Sequence, residues 1–519
     1  MKLAGQNRKL IGLSKNIQIG NSLIHNKITE EKAFDWNIEF AEVMHELYGG
    51  FDIIIGNPPY GAEISENQKK YFKDNFQSAT GRYDSYFYFI ERGISLLKNH
   101  GVLGFIVPDT WLTNVHAKKL RKIVLDNCCI QQIIGLPQNV FVDATVDTCL
   151  FIIKKEINEE IRLKNKIEVF VINKNIQIEN IHEGVFQTKT SVLQEQWTTD
   201  KRNLFTIFTI NENDSSIDKI KENTVNLGSI TEMRRGVFCY RKSSLVKEYG
   251  DEKGTEILEK RLWHSDHKVD KDYKKELLGS DINRYNFEWL NKKWFRYGKH
   301  IASYVEPRFF ETDYIAVQRI RNPALKRRLI ATIIESGNEF YASSGLTSII
   351  ISDRNYSIYY LLALINSKLL NWYFKQFFRD VNIKPEDLRE LPIKKINDEE
   401  QKQFIELAQQ IIKLNESLNE FKHKFIRRLV DNFNLKINTK LKNFEELIFK
   451  EFLDEFKKQK IQLTFSQQEE LEDYFIKRKS EIIDLNENIS RLDSELDMKI
   501  YDLYKLTNTE IDLIEKTTS

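Results

Sequence analysis

The stretch FDIIIGNPPYGAEI, residues 51–64, decides how the first half of the chain is read. Four of the six residues before Asn57 are apolar, and the run closes on two consecutive prolines. Apolar runs of this length bounded by turn residues read as strands buried on both faces. Asn57 then falls at the carboxyl end of a strand, where open α/β sheets form their ligand crevices. Pro58 and Pro59 fix two successive φ angles and carry no N–H. The Asn57 side chain and a proline carbonyl can therefore present two rigid acceptors side by side. An exocyclic amino group, with its two N–H donors, is the matching guest, and Tyr60 offers a flat face for a base to stack on.

Working outward, strand-like and helix-like segments alternate: YDSYFYFIERGISLLKNH (83–100), GVLGFIVP (101–108), NVHAKKLRKIVLDN (114–127), CIQQIIGLP (129–137), VDTCLFIIKK (146–155) and KIEVFVINK (166–174). That alternation predicts an α/β domain over residues 1–200 with a mostly parallel sheet. From 205 to 395 strands are short, loops long, and aromatic and basic residues mixed, as in a mixed α+β domain. From 396 to 519 apolar residues recur every three or four positions, with Phe404, Leu407, Ile411, Leu414, Leu418, Phe421 and Phe425 on one stripe, which predicts a helical tail.

The 519 residues carry 78 Lys and Arg against 76 Asp and Glu, close to neutral. The middle region is not neutral: residues 225–395 hold 31 Lys and Arg against 22 Asp and Glu. Within it, NKKWFRYGKH (291–300) interleaves Lys292, Lys293, Arg296 and Lys299 with three aromatics, and QRIRNPALKRR (318–328) supplies Arg319, Arg321, Arg327 and Arg328. Local basic density mixed with aromatics suits phosphate contact, so these eight residues are the candidate DNA-binding set. Cys128, Cys129, Cys149 and Cys239 show no CxxC spacing and no neighbouring His pair, so no metal is expected. No apolar run reaches the roughly 18 residues of a membrane span, and the N-terminus lacks a signal-peptide core. A cytoplasmic location is expected.

FDIIIGNPPY resembles the catalytic motif of N6-adenine-specific DNA methyltransferases, in the TaqI-like arrangement found in type IIG restriction–modification enzymes. The resemblance implies a partial Rossmann-like methyltransferase sheet followed by a DNA-recognition domain. It implies that the target adenine is flipped out of the duplex, that Asn57 and Pro58 accept hydrogen bonds from its N6, and that Pro59 and Tyr60 complete the pocket by rigidity and stacking. S-adenosylmethionine is the implied methyl donor, with Asn21 and Asp84 on the cofactor side and double-stranded DNA as partner. The family's second stacking aromatic aligns with Ile153, so Phe151 or Phe141 is its candidate replacement. VNLGSITEMRRGVF (225–238), LLGSDINRY (277–285) and the block 361–395 are similar to the TaqI-like specificity domain, and the end of the chain is similar to the close of type IIG enzymes.

One part of the family pattern is missing. The glycine-rich loop and the acidic ribose ligand do not occur in residues 1–50. About 50 residues precede Asn57, too few for two further strand–helix units at about 30 residues each. The expectation is a chain corresponding to the carboxyl-terminal part of a longer enzyme. The alternative is a DNA-binding specificity module, or a truncated fragment, for which an upstream polypeptide supplies the cofactor half or a nuclease.

Overall fold

The computed structural model describes residues 16–518 except 26–31, 46–48, 80–83, 138–139, 141–146, 173–185, 201, 208–215, 323–324 and 379–380. The chain divides into two compact units, one of residues 1–214 with 376–380, the other of residues 215–375 with 381–519. Among the described residues no helix is long and apolar enough to cross a membrane.

The first unit is built on a six-stranded sheet: β1 (Phe51–Gly56), β2 (Leu97–Pro108), β3 (Cys128–Gly135), β4 (Thr148–Lys155), β5 (Lys166–Ile172) and β6 (Phe186–Leu193), in the order β1-β2-β4-β3-β5-β6. The α/β expectation holds, but the sheet is mixed. β1–β2 and β3–β5 are parallel, while β2–β4, β3–β4 and β5–β6 are antiparallel. Antiparallel neighbours need no crossover helix between them, whereas parallel ones do. Helices α1 (Glu66–Asn75), α2 (Ser85–Leu96) and α3 (Lys118–Asn127) supply the covering layers. The core gathers Phe87, Ile90 and Ile94 of α2, Leu103 and Phe105 of β2, and Phe151 and Ile153 of β4. Arg121 of α3 is fully buried and donates to the carbonyls of Asn203, Trp111, Asn114 and Arg202. That set ties the loop after β2 and the segment around residue 203 to one guanidinium.

β1 overturns one expectation. It lies at the sheet edge, bonded only to β2 among the described residues, and Ile53 and Ile55 are 64% and 82% exposed. The run reads as doubly buried because its residues are apolar, yet no strand among the described residues pairs with its outer edge.

The second unit contains two four-stranded sheets. One has β7 (Thr231–Arg235), β11 (Tyr314–Gln318), β12 (Ala331–Ile334) and β14 (Leu346–Ile351) in the order β12-β11-β14-β7, all antiparallel. The other has β8 (His264–Ser265), β9 (Tyr273–Leu277), β10 (Trp294–Arg296) and β13 (Phe340–Ala342) in the order β13-β9-β10-β8. The predicted tail is helical. Helix α4 (Asp398–Phe433) and helix α5 (Phe465–Leu503) run 36 and 39 residues, and Phe404, Leu407, Ile411, Leu418 and Phe425 are buried as the stripe requires.

Helix α5 is held to the middle region by charge. Arg284 donates to both carboxylate oxygens of Asp493, at 2.5 and 2.8 Å, and Arg327 lies 3.4 Å from Asp493 and Asp497. Asp497 also accepts from the Lys368 backbone N–H at 2.9 Å. Burial pushes the Asp497 carboxyl up to about 6, against the pull of Arg327. A raised carboxyl favours folding while protonated, so this contribution is present below about pH 4 and lost as pH rises through about 6. Asp493 shifts the other way: burial raises it, but the bond and charge of Arg284 win and hold it low. Its own window therefore lies below that of Asp497. Asp497→Asn is expected to flatten the fall in unfolding free energy between about pH 4 and pH 6, read by urea titrations across that range. An unchanged slope would remove Asp497 as its source.

Candidate functional site

β1 hydrogen-bonds alongside β2 up to the Gly56–Phe105 pair, and the chain then leaves the sheet at Asn57. Pro58 is buried, Asn57 and Pro59 are exposed, and Tyr60 is half-buried against the core of the first unit. The Ser85 hydroxyl, at the first position of α2, donates to the Pro59 carbonyl. The second proline is thus fixed to a helix. Among the described residues the Asn57 side chain and the Pro58 carbonyl form no hydrogen bond with the protein. The two acceptors singled out from sequence are the two left available.

They open onto a cavity of about 400 Å³. Its walls include Trp36, Phe51, Phe89 and Phe105, with Ser22 and Arg92 at polar positions. This volume lies within the usual range for small-ligand sites. Trp36 is oriented by its indole N–H, which donates to the Ser22 carbonyl at 2.9 Å, and stacks on Phe40 at 5.6 Å. Apolar walls with a rigid pair of acceptors at one end can take a flat heteroaromatic ring and orient an amino group.

The other predicted residues fall into place unevenly. Asn21 adjoins Ser22 but does not line the cavity, and its side chain accepts from the Leu23 N–H at 3.2 Å. Asp84 is the residue before the first turn of α2 and also lies off the cavity wall. Phe151, weighed as a second stacking ring, is fully buried and packs on Phe105 and Trp111, so it is a core residue. Phe141 lies outside the described residues. Sequence reading missed Ser85, Trp36 and Phe89. The signal for Ser85 was faint: a serine opening an apolar helix reads as a helix-start residue, not as a clamp on a proline 26 positions away.

In the second unit Lys292, Lys293, Arg296 and Lys299 are all exposed, on β10 and its flanking turns. Lys293 pairs with Asp266. Phe295 between them is fully buried and Trp294 and Tyr297 half-buried, so the aromatics anchor the strand while the cations face water. The arginines at 319–328 depart from expectation. Arg328 is 1% exposed, with its guanidinium over the Phe374 ring. Arg319 is buried and donates to the Ser344 carbonyl, and Arg327 is held by Asp493, Asp497 and the Asn366 carbonyl. Arg321 donates to Gln318 and to the Arg327 carbonyl. Desolvation makes a free buried guanidinium costly, and these bond carbonyls, side chains or a ring inside the fold, although the Nε groups of Arg319, Arg321 and Arg328 stay unbonded among the described residues. As placed, they are structural groups, not a phosphate-facing row.

Residues 3–141 match the Eco57I restriction-modification methylase family, residues 274–393 match the TaqI-like C-terminal specificity domain, and residues 397–500 match a domain of unknown function. RM.MjaORFECS2P of Methanocaldococcus jannaschii, named as a type II restriction enzyme and methyltransferase, is 29% identical over 442 residues, covering 82% of this chain and 33% of that protein. The type II restriction enzyme and methyltransferase RM.Eco57I of Escherichia coli is 26% identical over 436 residues, covering 72% and 42%. Among solved structures, the DNA-bound type IIL restriction-modification enzyme MmeI aligns over 93% of this chain and 58% of that one, at 12% identity and a TM-score of 0.49. The chain spans between a third and about two-fifths of the length of the two sequence relatives. By sequence it is similar to type II restriction-modification methyltransferases.

Proposed function

We propose that this chain carries the base-capturing and DNA-reading parts of a DNA methyltransferase in a type IIG restriction–modification system, acting on N6 of a flipped adenine. The observation that carries this reading is the free acceptor pair, the Asn57 side chain and the Pro58 carbonyl, at the mouth of an aromatic-walled cavity. The two acceptors bind the two amino hydrogens and turn the nitrogen lone pair out of the ring plane. The rigid prolines hold that geometry without reorganisation, and Tyr60 stacks on the ring. S-adenosylmethionine supplies the methyl group. The cavity wall offers it apolar and aromatic surface and Arg92, but among the described residues no carboxylate for a ribose. The residues present therefore fit part of that molecule, and a complete donor site requires further residues.

A second reading has its own support. The outer edge of β1 is unpaired among the described residues and shows two exposed isoleucines. Unpaired edges invite strand addition. In this reading the chain is a specificity module completed by a polypeptide that carries the cofactor half. Labelled S-adenosylmethionine and mixed-sequence duplex DNA test both. Label recovered as N6-methyladenine supports adenine chemistry, and label in N4-methylcytosine overturns it. Transfer only after adding the upstream gene product supports the module. Titration calorimetry of S-adenosylmethionine into this chain alone is expected to show no micromolar binding, and a micromolar Kd would refute the incomplete site.

For DNA placement, the proposal rests on Lys292, Lys293, Arg296 and Lys299. Replacing all four by alanine should reduce the slope of log K against log salt by about 3, at about 0.9 per phosphate contact, with Lys293 discounted for its partner Asp266. Arg328→Gln should leave that slope unchanged and lower the melting temperature. A slope change in the second variant would return Arg328 to the interface.

A further inference from the structure

Cys239, His264 and Glu276 are separated in sequence by 25 and 12 positions, and no spacing rule links them. The fold brings them together. Among the described residues their ligand atoms, the thiol sulfur, an imidazole nitrogen and a carboxylate oxygen, all lie within 4.8 Å of one another. Cys239 sits in the loop after β7, His264 on β8 and Glu276 on β9. Cys239 and Glu276 are buried, and the side chains of His264 and Glu276 are 7% and 10% exposed.

The hydrogen bonding around His264 sharpens the point. The Tyr240 hydroxyl, which accepts from the Trp263 N–H at 3.0 Å, lies 2.7 Å from His264 Nδ1. With Nδ1–H donating to that hydroxyl, Nε2 carries a lone pair. Nε2 stands 3.3 Å from the Glu276 carboxylate and 3.2 Å from an Arg261 guanidinium nitrogen. Two electron-rich atoms aimed at each other across 3.3 Å call for a proton or a cation between them. Two donors on one tetrahedral zinc, with bonds of about 2.0–2.2 Å, stand about 3.3–3.5 Å apart. A phenol on the far ring nitrogen is the kind of outer contact that orients a ligating imidazole. The cluster also lies on the wall between two cavities of about 790 and 430 Å³, both lined by Glu276 and Arg261, so an ion has a route in.

We propose that Cys239, His264 and Glu276 form a zinc site in the second unit, with Arg261 as the cation that occupies the imidazole nitrogen when zinc is absent. On binding, the Cys239 thiol loses its proton to solvent, a sulfur–zinc bond forms, and the guanidinium leaves Nε2 for the exposed surface where its residue lies. The ion would tie the loop carrying the exposed Phe238 to strands β8 and β9. This site is independent of the methylation reading. The expectation of no metal rested on linear cysteine spacing, which is blind to three ligands drawn from a loop and two strands.

The test uses the full chain, loaded with zinc chloride and desalted into chelator-free buffer. Elemental analysis should find about one zinc per chain, falling severalfold in Cys239→Ser and in His264→Ala. Cobalt in place of zinc should give a thiolate-to-metal charge-transfer band that Cys239→Ser loses while its circular dichroism stays unchanged. Arg261→Ala should bind zinc more tightly. Wild-type protein without zinc, equal zinc in the Cys239 and His264 variants, or weaker binding in Arg261→Ala would each overturn the proposal.

Discussion

Asn57→Ala should lower the methyl-transfer rate by at least about a hundredfold, the scale for losing one preorganised polar group that meets charge developing in a transition state. The amino nitrogen becomes positive as it bonds to carbon. In the proposed reaction the Asn57 side-chain carbonyl would face that charge, from a backbone held by two prolines and by Ser85 on Pro59. Alanine leaves the nitrogen with the Pro58 carbonyl alone. The side chain is exposed and unbonded among the described residues, so its loss should change stability by no more than about 0.5 kcal/mol. The assay is incorporation of labelled methyl into duplex DNA by the active assembly, alongside duplex affinity at fixed salt. A hundredfold loss of rate with affinity retained within about twofold is the expected pattern. Activity within threefold of wild type would dismiss the corner as the active site. Ser85→Ala, which frees the Pro59 carbonyl without touching the acceptor pair, should give a smaller loss.

Asp493→Ala should destabilise the second unit by about 3 kcal/mol. Removing one partner of a buried ion pair costs about 3–5 kcal/mol because the other is left uncompensated. Arg284 would keep only the Asn366 carbonyl, while Arg327 would retain Asp497, which places the expectation near the lower figure. At an m-value of about 3 kcal/mol/M the urea midpoint should fall by about 1 M. Arg284→Ala combined with Asp493→Ala should cost less than the two single changes summed, since the pair is removed together. A midpoint shift below about 0.3 M would show that the pair contributes little.

The parts legible in sequence were those fixed by local chemistry. The proline corner, the strand–helix alternation and the stripe through Phe404 and Phe425 each depend on neighbours within a few positions. What failed depended on distant partners. FDIIIG reads the same whether a strand lies on one side of it or on both, so its edge position was invisible. Arg327 looks like part of a DNA-facing row until Asp493 and Asp497 arrive from 166 and 170 positions away, and Arg319 and Arg328 until the Ser344 carbonyl and the Phe374 ring take them. The sheet's antiparallel pairings were hidden for the same reason, since periodicity gives strands but not their directions. Lys292, Lys293, Arg296 and Lys299 face outward, and Lys293 pairs with Asp266, itself largely exposed.

The outer edge of β1 has a consequence for the chain outside any assembly. An edge able to accept a foreign strand can also accept the same strand from another copy, with Ile53 and Ile55 forming a dry seam between them. One local safeguard is visible: Asp52, on that strand and paired with Lys98, places a charge next to the first isoleucine. Such gatekeeping slows self-pairing without abolishing it. The Asn57–Tyr60 corner therefore hangs on an edge strand of its sheet, so colloidal behaviour and the proposed base pocket share one strand.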